Sequence, residues 1–195
     1  MFIHTDLLRA ALCCVADSKE ERRYLQGIHI TSTHIQACNK IACVSMEHGD
    51  KNPFEGVFIV IGMIPPEAEG TFINLVNETV VAMHVTEDNQ VVGRNILEPV
   101  ECQYPNFSNL LAGEPEPISG MPIFKSRLLA LPDLMFGPSL GVVVVGFKSW
   151  GKDKPCQLIF DKAVNHLFGN PMMVIMPMTE SAFELIEEAF DETGI

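Results

Sequence analysis

The sequence predicts an α+β fold in which mostly antiparallel strands are accompanied by one helix per repeated half-module. Two observations lead to this prediction. A short extended segment, a helix-like segment and several strand-like segments follow one another from the first residue, and a similar order restarts after residue 118. The chain also has 195 residues, of which 47% are hydrophobic and 19% charged. That composition allows a substantial core and excludes a globally disordered chain.

The first half-module is predicted to begin with a short strand over residues 2–5. Asp6 is then a candidate N-cap for a helix over Leu7–Ala16, whose apolar residues recur on one side. Tyr24–Thr31 alternates like a half-buried strand, and His34–Met46 predicts one or two further strands.

The second half-module is predicted to consist of strands with almost no helix. Phe54–Ile64 is rich in β-forming residues, and Thr71–Val76 and Thr79–Val85 predict a hairpin around Asn77-Glu78. Gln90–Leu97 is a further strand. The segment 65–70 stands where a helix is expected, but it is too short and too rich in helix breakers to form one.

The third half-module follows an irregular linker, Glu98–Pro117, which holds four prolines. Ser126 is a candidate N-cap for a helix through Met135, with Pro132 near its start or kinking it. Glu180–Phe190 predicts a final helix with an apolar side at Phe183, Ile186 and Phe190. The predicted strands of this part are Val142–Phe147, Cys156–Phe160 and Met172–Met176.

The net charge of −12 comes from 13 Lys and Arg against 25 Asp and Glu. Residues 179–195 hold six acids and no bases, so the remaining body carries 25 − 6 = 19 acids against 13 bases, or −6. This charge balance argues against a protein that coats nucleic acid through a basic surface. A local basic surface on the body remains compatible with it. Three interpretations of the acidic tail stay open: a helix packed on its own core, an element of self-association, or a regulatory element that occupies the binding cleft or mimics the charge of DNA.

The six cysteines, at 13, 14, 38, 43, 102 and 156, lie mostly in apolar stretches without a CxxC pair. We therefore expect reduced, buried thiols in a cytoplasmic protein. No leader pattern and no apolar run long enough to span a membrane is present, so no membrane partner is expected. The histidines show no metal-ligand spacing, so neither a metal nor another cofactor is predicted. A Cys–His enzyme stays open as an alternative, because such pairs meet only in space.

Four blocks, in order, resemble the bacterial DNA polymerase sliding clamp, the β processivity clamp. Arg23–Ile30 is similar to the strand after the first helix of the family's middle domain, and Ala37–Met46 is similar to a later segment of that domain. Tyr104–Leu111 resembles the block that closes the domain, and Val174–Met178 resembles the Val-Val-Met-Pro-Met near the end of a clamp chain. The resemblance covers most of residues 1–178 and implies a DNA-clamp fold of half-modules.

The chain is shorter than the family pattern requires. Clamps have three domains of two half-modules each, whereas this chain has room for about three half-modules. We predict a clamp-like domain over 1–112 with a reduced second helix, a third half-module over 113–178 and an acidic helix or tail over 179–195. A ring would therefore need a different stoichiometry.

The resemblance implies a hydrophobic cleft for short apolar peptides of partner proteins. Flexible methionine side chains suit such a groove. The alternative is that Met176 and Met178 are ordinary core residues. The predicted cleft residues are Leu25, Cys38, Lys40, Ile41, Val174, Met176, Pro177 and Met178.

The resemblance also implies basic side chains that face DNA phosphates without reading bases. The alternative is a solvated helix face, because acidic residues are interspersed with these basic residues. The candidates are Arg9, Arg22, Arg23, Lys125 and Arg127.

The leading hypothesis is a sliding-clamp-like accessory protein of DNA replication or repair, without catalytic residues. Its expected partners are DNA polymerase or other replication and repair proteins, double-stranded DNA contacted without sequence specificity, and further copies of the chain. One alternative is an adaptor or inhibitor with a clamp fold that never encircles DNA. The other is a small Cys/His enzyme.

Overall fold

The protein was analysed as a computed structural model. It describes residues 1–50, 54–111, 113–116, 122–151, 153–179, 181–184 and 187. Below, module 1 denotes residues 1–50, module 2 residues 54–112 and module 3 residues 118–178. None of the helices in the described ranges has the length and apolar character needed to cross a membrane.

In the described residues, eleven strands form one antiparallel sheet, which three α-helices, α1 to α3, accompany. Module 1 contains β1 (Phe2–His4), α1 (Thr5–Leu12), β2 (Ile28–Ile30), β3 (His34–Cys38) and β4 (Ala42–Glu47). Module 2 contains β5 (Gly56–Ile61), β6 (Gly70–Val76), β7 (Thr79–Val85) and β8 (Val91–Pro99). Module 3 contains α2 (Ser126–Leu140), β9 (Val145–Ser149), β10 (Cys156–Phe160), α3 (Lys162–Leu167) and β11 (Met172–Ile175).

The strand order is β1-β6-β7-β8-β5-β2-β3-β4-β11-β10-β9. Modules 1 and 2 exchange their leading strands, since β1 pairs with β6 and β5 pairs with β2. Module 3 joins the sheet through β11, which pairs with β4. The sheet is therefore continuous across all three modules.

Module 1 follows the predicted order with two local differences. The helix starts at Thr5 rather than after an Asp6 cap, because the Thr5 amide donates to Glu69 O at 2.9 Å as the chain leaves β1. Asp6 instead lies in the first turn and pairs with Arg9 at 2.9 Å. The start of the predicted strand 24–31 is a short 3₁₀ turn, Arg23–Leu25, and the strand itself is β2.

Module 2 forms the predicted hairpin and has no α-helix in its described residues; a 3₁₀ turn, Phe107–Asn109, follows β8. Asn77 and Glu78 both adopt positive φ, +47° and +66°, as a two-residue type I′ turn requires. A turn over 65–69 replaces the helix and ends at β6. Proline and glycine in this segment leave too few residues to nucleate a helix.

Module 3 differs from the prediction in its helices. α2 runs to Leu140 through Pro132 and Pro138 and ends at Gly141, where φ is +76°. α3 was not predicted, although Asp161 caps it by accepting from the amides of Ala163 and Val164 at 2.7 and 3.1 Å. Of the predicted C-terminal helix Glu180–Phe190, residues 182–184 and 187 are described and helical; Ile186 and Phe190 lie outside the described residues.

The main core lies between the sheet and the two longer helices. From α1, Leu7 and Leu8 are buried, and from α2, Leu128 and Phe136 are buried in the same cluster. The Phe136 ring packs against that of Phe168, with centroids 4.6 Å apart. Burying such side chains stabilises the fold by roughly 1.5–3 kcal/mol each.

A chain of buried hydrogen bonds links the start of α1 to β6, β7 and β8. The side-chain amide of Asn95 donates to Ile61 O at 2.7 Å, so its oxygen accepts from His84 Nε2 at 2.7 Å. His84 Nδ1 then accepts from the Thr71 hydroxyl at 3.0 Å, and Thr71 accepts from Thr5 at 2.8 Å. This direction of donation requires neutral His84.

We predict that His84 makes the stability of the protein fall at acidic pH. Burial lowers the pKa of His84, whereas the unfolded side chain binds a proton near pH 6.5. The contribution is complete above about pH 6.5 and is lost as the pH falls below it, with a slope of at most ~1.4 kcal/mol per pH unit. Urea unfolding of wild type and His84→Gln from neutral to acidic pH measures the difference in slope.

The other histidines are present in both proteins, so their contributions cancel in this comparison. Equal slopes would contradict a neutral buried His84. Nitrogen NMR shifts of the wild-type imidazole rings give a second readout if His84→Gln does not fold. An Nε2-protonated ring is expected to persist as the pH falls below 6.5 in the folded protein.

Candidate functional site

The candidate site lies at the seam where β4 of module 1 meets β11 of module 3. Cys43 is opposite Val174 and Ala42 is opposite Ile175 in this antiparallel pair. Beyond β11 the Met176 amide donates to Ile41 O at 2.8 Å, which extends the seam by one residue. The seam therefore holds the β3–β4 turn beside the end of module 3.

A pocket of about 210 Å³ opens at this seam. Its floor belongs to a hydrophobic cluster separate from the main core, in which Leu25, Cys38, Cys43, Phe107 and Val174 are each at most 7% exposed. The 3₁₀ turn Arg23–Leu25 places Leu25 on this floor. The pocket is thus apolar below and open to solvent above.

The β3–β4 turn shapes one wall of the pocket. Asn39 Oδ1 accepts from the amides of Ile41 and Ala42 at 3.3 and 3.0 Å, and closes the turn. Lys40 adopts a φ of +80°, which is costly for a residue with a side chain. The turn holds Ile41 beside Met176 at the pocket mouth.

A charged cluster forms the rim. Glu20 pairs with Lys40 and, at 3.0 Å, with Arg22. Hydrogen bonds from Lys40 and then from Arg22 lower the pKa of Glu20 to about 2. Glu20 therefore stays ionised at physiological pH and holds two cations over an apolar floor.

The structure places six of the eight predicted cleft residues around this pocket. They are Leu25, Cys38, Lys40, Ile41, Val174 and Met176. Pro177 and Met178 do not line it; Met178 instead donates its amide to Ile123 O at 2.7 Å, beside the start of α2.

Several residues that line the pocket were not predicted from the sequence. Arg22, Tyr24, Pro105, Asn106, Phe107 and Leu110 also line it. Pro105 to Leu110 come from the end of module 2, after β8, and this segment packs over the seam. The block Tyr104–Leu111 is one of the motifs of the resemblance, but nothing in its spacing predicts that it folds onto Leu25.

The five predicted DNA-facing cations divide into two groups. Arg9 pairs with Asp6 and donates to the carbonyls of Pro65 and Pro66 at 2.6 and 3.0 Å. Arg22 and Arg23 pair with Glu20 and Glu98. Within the described ranges no ion pair reaches the exposed Lys125 or Arg127.

A second groove of about 540 Å³ lies between the end of α1, the β3–β4 turn and α2. Lys19, Lys40 and Arg127 line it, together with Asp17 and Glu20. Lys40 also lines the seam pocket, so the two depressions are neighbours. The groove is mixed in charge rather than basic.

Comparison with known proteins identifies the fold. No model of a known protein family matches the sequence, and no curated protein matches it. Solved structures do match: a DNA polymerase III beta chain of Streptococcus pneumoniae (TM-score 0.57, 11% identity) and a DNA polymerase sliding clamp of Bacillus subtilis (TM-score 0.57, 10% identity). A DNA polymerase III beta subunit of Thermotoga maritima has a TM-score of 0.54 at 10% identity.

Each match covers 91% of this chain. The chain spans only 63–65% of the length of these clamps, less than two thirds. At such identities the likeness establishes the fold, and the predicted α+β sliding-clamp-like fold is confirmed.

The thiols of the described residues give no sign of an activated nucleophile. Burial raises the pKa of Cys38 and, together with the neighbouring Cys38, raises that of Cys43 to about 12. The pKa of the half-buried Cys13 and of the exposed Cys102 is raised as well. No cluster of three or more metal-ligating side chains is found in the described part of the chain.

We expect the thiols to react in the order of their exposure. With iodoacetamide at mildly basic pH, Cys102 is alkylated first and Cys13 more slowly; the four buried thiols react at least about tenfold more slowly than Cys102. Peptide mass spectrometry over time measures each rate. Cys102→Ser is the control and removes the fast phase, whereas a Cys38 or Cys43 that reacts as fast as Cys102 would support the enzyme alternative.

Proposed function

We propose that this protein is a sliding-clamp-like accessory factor of DNA replication or repair, which binds a short apolar peptide of a partner protein in the seam pocket. The observation that carries the proposal is the apolar pocket built across β4 and β11 with a fixed cationic rim. The proposed role is docking rather than catalysis, because burial raises the pKa of Cys38 and Cys43, the two thiols that line the pocket.

The size of the pocket favours a peptide side chain over a large ligand. Its volume of about 210 Å³ is below the roughly 300–1,000 Å³ typical of small-molecule sites. One or two apolar side chains fill such a space, and the rest of the peptide then lies across the rim. Met176, a flexible side chain at the mouth, can adapt to side chains of different shape.

Donor groups on the rim can fix the orientation of the bound peptide. Lys40 and Arg22 carry donors at the pocket edge, and Glu20 holds both in place before a ligand arrives. Backbone carbonyls or a polar side chain of the peptide can accept from these groups. Because the donors are preordered, less conformational entropy is lost on binding.

Truncation of the pocket mouth is expected to weaken peptide binding. A fluorescein-labelled peptide with a glutamine followed by Leu-Phe serves as the probe, and fluorescence anisotropy gives the Kd. Ile41→Ala with Met176→Ala removes partly exposed apolar contacts, so we expect at least a tenfold increase in Kd, or about 1.4 kcal/mol.

Met63→Ala is the matched control, because Met63 is 92% exposed and lies outside the pocket. Its Kd should stay within about twofold of wild type, since single exposed contacts contribute little. Met178→Ala is a second informative variant, because Met178 belongs to the motif Val174–Met178 but does not line the pocket. Its Kd should match that of Met63→Ala if the pocket lining determines binding. Equal affinity of all variants would reject the seam pocket as the peptide site.

Contact with duplex DNA is the second part of the proposal and depends on Lys125 and Arg127. These exposed cations, at the start of α2, have no carboxylate partner in the described residues. Phosphate contact by such side chains is independent of sequence and weakens with salt.

We expect the double variant Lys125→Ala/Arg127→Ala to reduce the salt dependence of DNA binding. Each phosphate contact contributes about −0.9 to the slope of log K against log salt, so the slope should fall by roughly two. Anisotropy with a labelled duplex over a range of salt concentrations measures it, and Arg23→Ala is the control because its charge is already paired with Glu98.

A non-encircling adaptor with the same fold is the alternative function. The specific observation in its favour is that Arg9, Arg22 and Arg23 are each paired with a carboxylate. Absence of DNA binding at low salt, together with retained peptide binding, would select this alternative.

A further inference from the structure

Two cysteines lie directly opposite each other in the hairpin that ends at the seam pocket. Cys38 is the last residue of β3 and Cys43 is the second residue of β4, and the register of the two strands pairs them. Side chains of directly paired residues lie on the same face of a sheet. Both side chains accordingly line the seam pocket and belong to its floor, and both are free thiols.

The hydrogen bonds of the hairpin show which kind of pair these cysteines form. The Asn39 amide donates to Ala42 O at 3.0 Å, and the His48 amide donates to Thr33 O at 3.0 Å. Hydrogen-bonded and non-hydrogen-bonded pairs alternate along an antiparallel ladder. The odd-numbered residues from 33 to 39 therefore bond across the hairpin, whereas Cys38 belongs to a non-hydrogen-bonded pair.

Side chains approach each other most closely in such pairs. The Cα atoms of a non-hydrogen-bonded pair are about 4.5 Å apart, and disulfides span Cα distances of about 4.4–6.8 Å. The next pair of this kind shows the contact directly, since Gln36 Nε2 donates to Ser45 Oγ at 3.0 Å. Cys38 and Cys43 can therefore be joined without a change of register. The Cα distance is at the short end of the range, which favours a disulfide that is easily reduced.

The surrounding structure holds the two thiols together before any oxidation. Four residues separate them in sequence, and the turn between them is closed by the bonds that Asn39 Oδ1 accepts from Ile41 and Ala42. Cys43 is also fixed from its other side, because it is paired with Val174 of β11. Little conformational freedom remains to be lost when the two sulfurs are joined.

A small oxidant can reach this pair through the pocket. The seam pocket has a volume of about 210 Å³ and is open to solvent, and a hydroperoxide is much smaller than this space. Cys38 is 7% exposed and Cys43 is 5% exposed. Cys14, by contrast, is fully buried in the main core and does not line the pocket.

We propose that Cys38 and Cys43 form a site of reversible oxidation, at which a hydroperoxide converts the two thiols into a cross-strand disulfide. The Cys38 thiolate attacks one peroxide oxygen: an S–O bond forms, the O–O bond breaks, and the other oxygen leaves with a proton as water or an alcohol. The Cys43 sulfur then attacks the Cys38 sulfur: the S–S bond forms, the S–O bond breaks, and hydroxide leaves with the Cys43 proton as water. The two thiols lose two electrons in total, and the peroxide gains them.

The surroundings of the two sulfurs favour Cys38 as the first to react. Burial raises the pKa of Cys38, while the neighbouring Tyr104 hydroxyl, Lys40 amide and Arg22 charge act in the opposite direction. Burial and the neighbouring Cys38 raise the pKa of Cys43 to about 12. Because the thiolate is the nucleophile, Cys38 is the sulfur that meets the peroxide and Cys43 is the one that closes the disulfide.

The disulfide places the seam pocket under redox control, a consequence that rests on the proposed function. Joining the sulfurs shortens their separation from van der Waals contact to about 2.05 Å. This change occurs in the pocket floor, at the base of the turn that holds Ile41 at the mouth. Floor and mouth change shape together, so we expect the oxidised protein to bind the fluorescein-labelled peptide at least about threefold more weakly.

Peptide mapping after oxidation tests the site directly. Trypsin cuts after Lys40, so the two cysteines fall in separate peptides, Tyr24–Lys40 and Ile41–Lys51, which stay joined only through the disulfide. Folded wild type is treated with hydrogen peroxide, its remaining thiols are blocked, and it is digested without reductant. We expect the joined peptides to form at least about tenfold faster than any other intramolecular link. Dithiothreitol should separate them.

Two serine variants serve as controls. Cys102→Ser removes an exposed thiol outside the pocket, and its joined peptides should form within about twofold of the wild-type rate. Cys43→Ser should form no joined peptides and should leave the Cys38 sulfenic acid to be trapped by dimedone. A preferred link from either pocket cysteine to Cys14 would overturn the proposal, and so would oxidation of Cys102 with both pocket thiols intact. Mapping of wild type alone decides this if Cys43→Ser does not fold.

Fluorescence anisotropy of the reduced and the oxidised protein tests the consequence for binding. Joined peptides with an unchanged Kd would overturn redox control of the pocket and support the oxidation site alone. A reduced protein that does not bind the peptide would reject the proposed function, whereas the mapping result does not depend on peptide binding. The two failures are therefore distinguishable.

Discussion

The antiparallel pairing of β4 with β11 is the interaction on which the rest of this structure depends. It joins the last module to the first across more than a hundred residues of sequence, and it makes one continuous sheet of eleven strands. Without it, Val174 and Leu25 would not share a cluster and the seam pocket would have only one wall. The same pairing brings α2 beside α1, where the Ser139 hydroxyl donates to Asp6 at 2.6 Å.

The seam separates two kinds of stabilisation. Its floor is held by apolar burial, while its rim pairs Glu20, whose side chain is 11% exposed, with the half-exposed Lys40 and Arg22. Ion pairs made by exposed cations contribute little to stability, so the main effect of Glu20 is to orient the two cations. The turn that keeps Lys40 at positive φ costs energy locally.

A buried chain of hydrogen bonds links modules 1 and 2. It runs from Thr5 on α1 through Thr71 and His84 to Asn95, and every polar side chain in it is buried and paired. In module 3, β9 pairs only with β10 among the described residues, and Val142 and Val144 are exposed.

Local patterns determined much of the fold. Alternation marked the strands, the breakers at 65–70 excluded a helix, and Asn77-Glu78 marked a turn that needs two residues at positive φ. The N-cap at Asp161 could also have been predicted from the sequence. The helix that it caps, α3, was not predicted because its six residues are too few for a periodic apolar pattern. Local patterns could not predict the pocket, because Leu25, Phe107 and Met176 come from three distant segments that meet only in the tertiary structure. Tertiary structure also decided which basic side chains form ion pairs, since Arg23 pairs with Glu98, 75 residues away in sequence. Local forces act between neighbours in sequence, and a site between modules is decided by which surfaces meet.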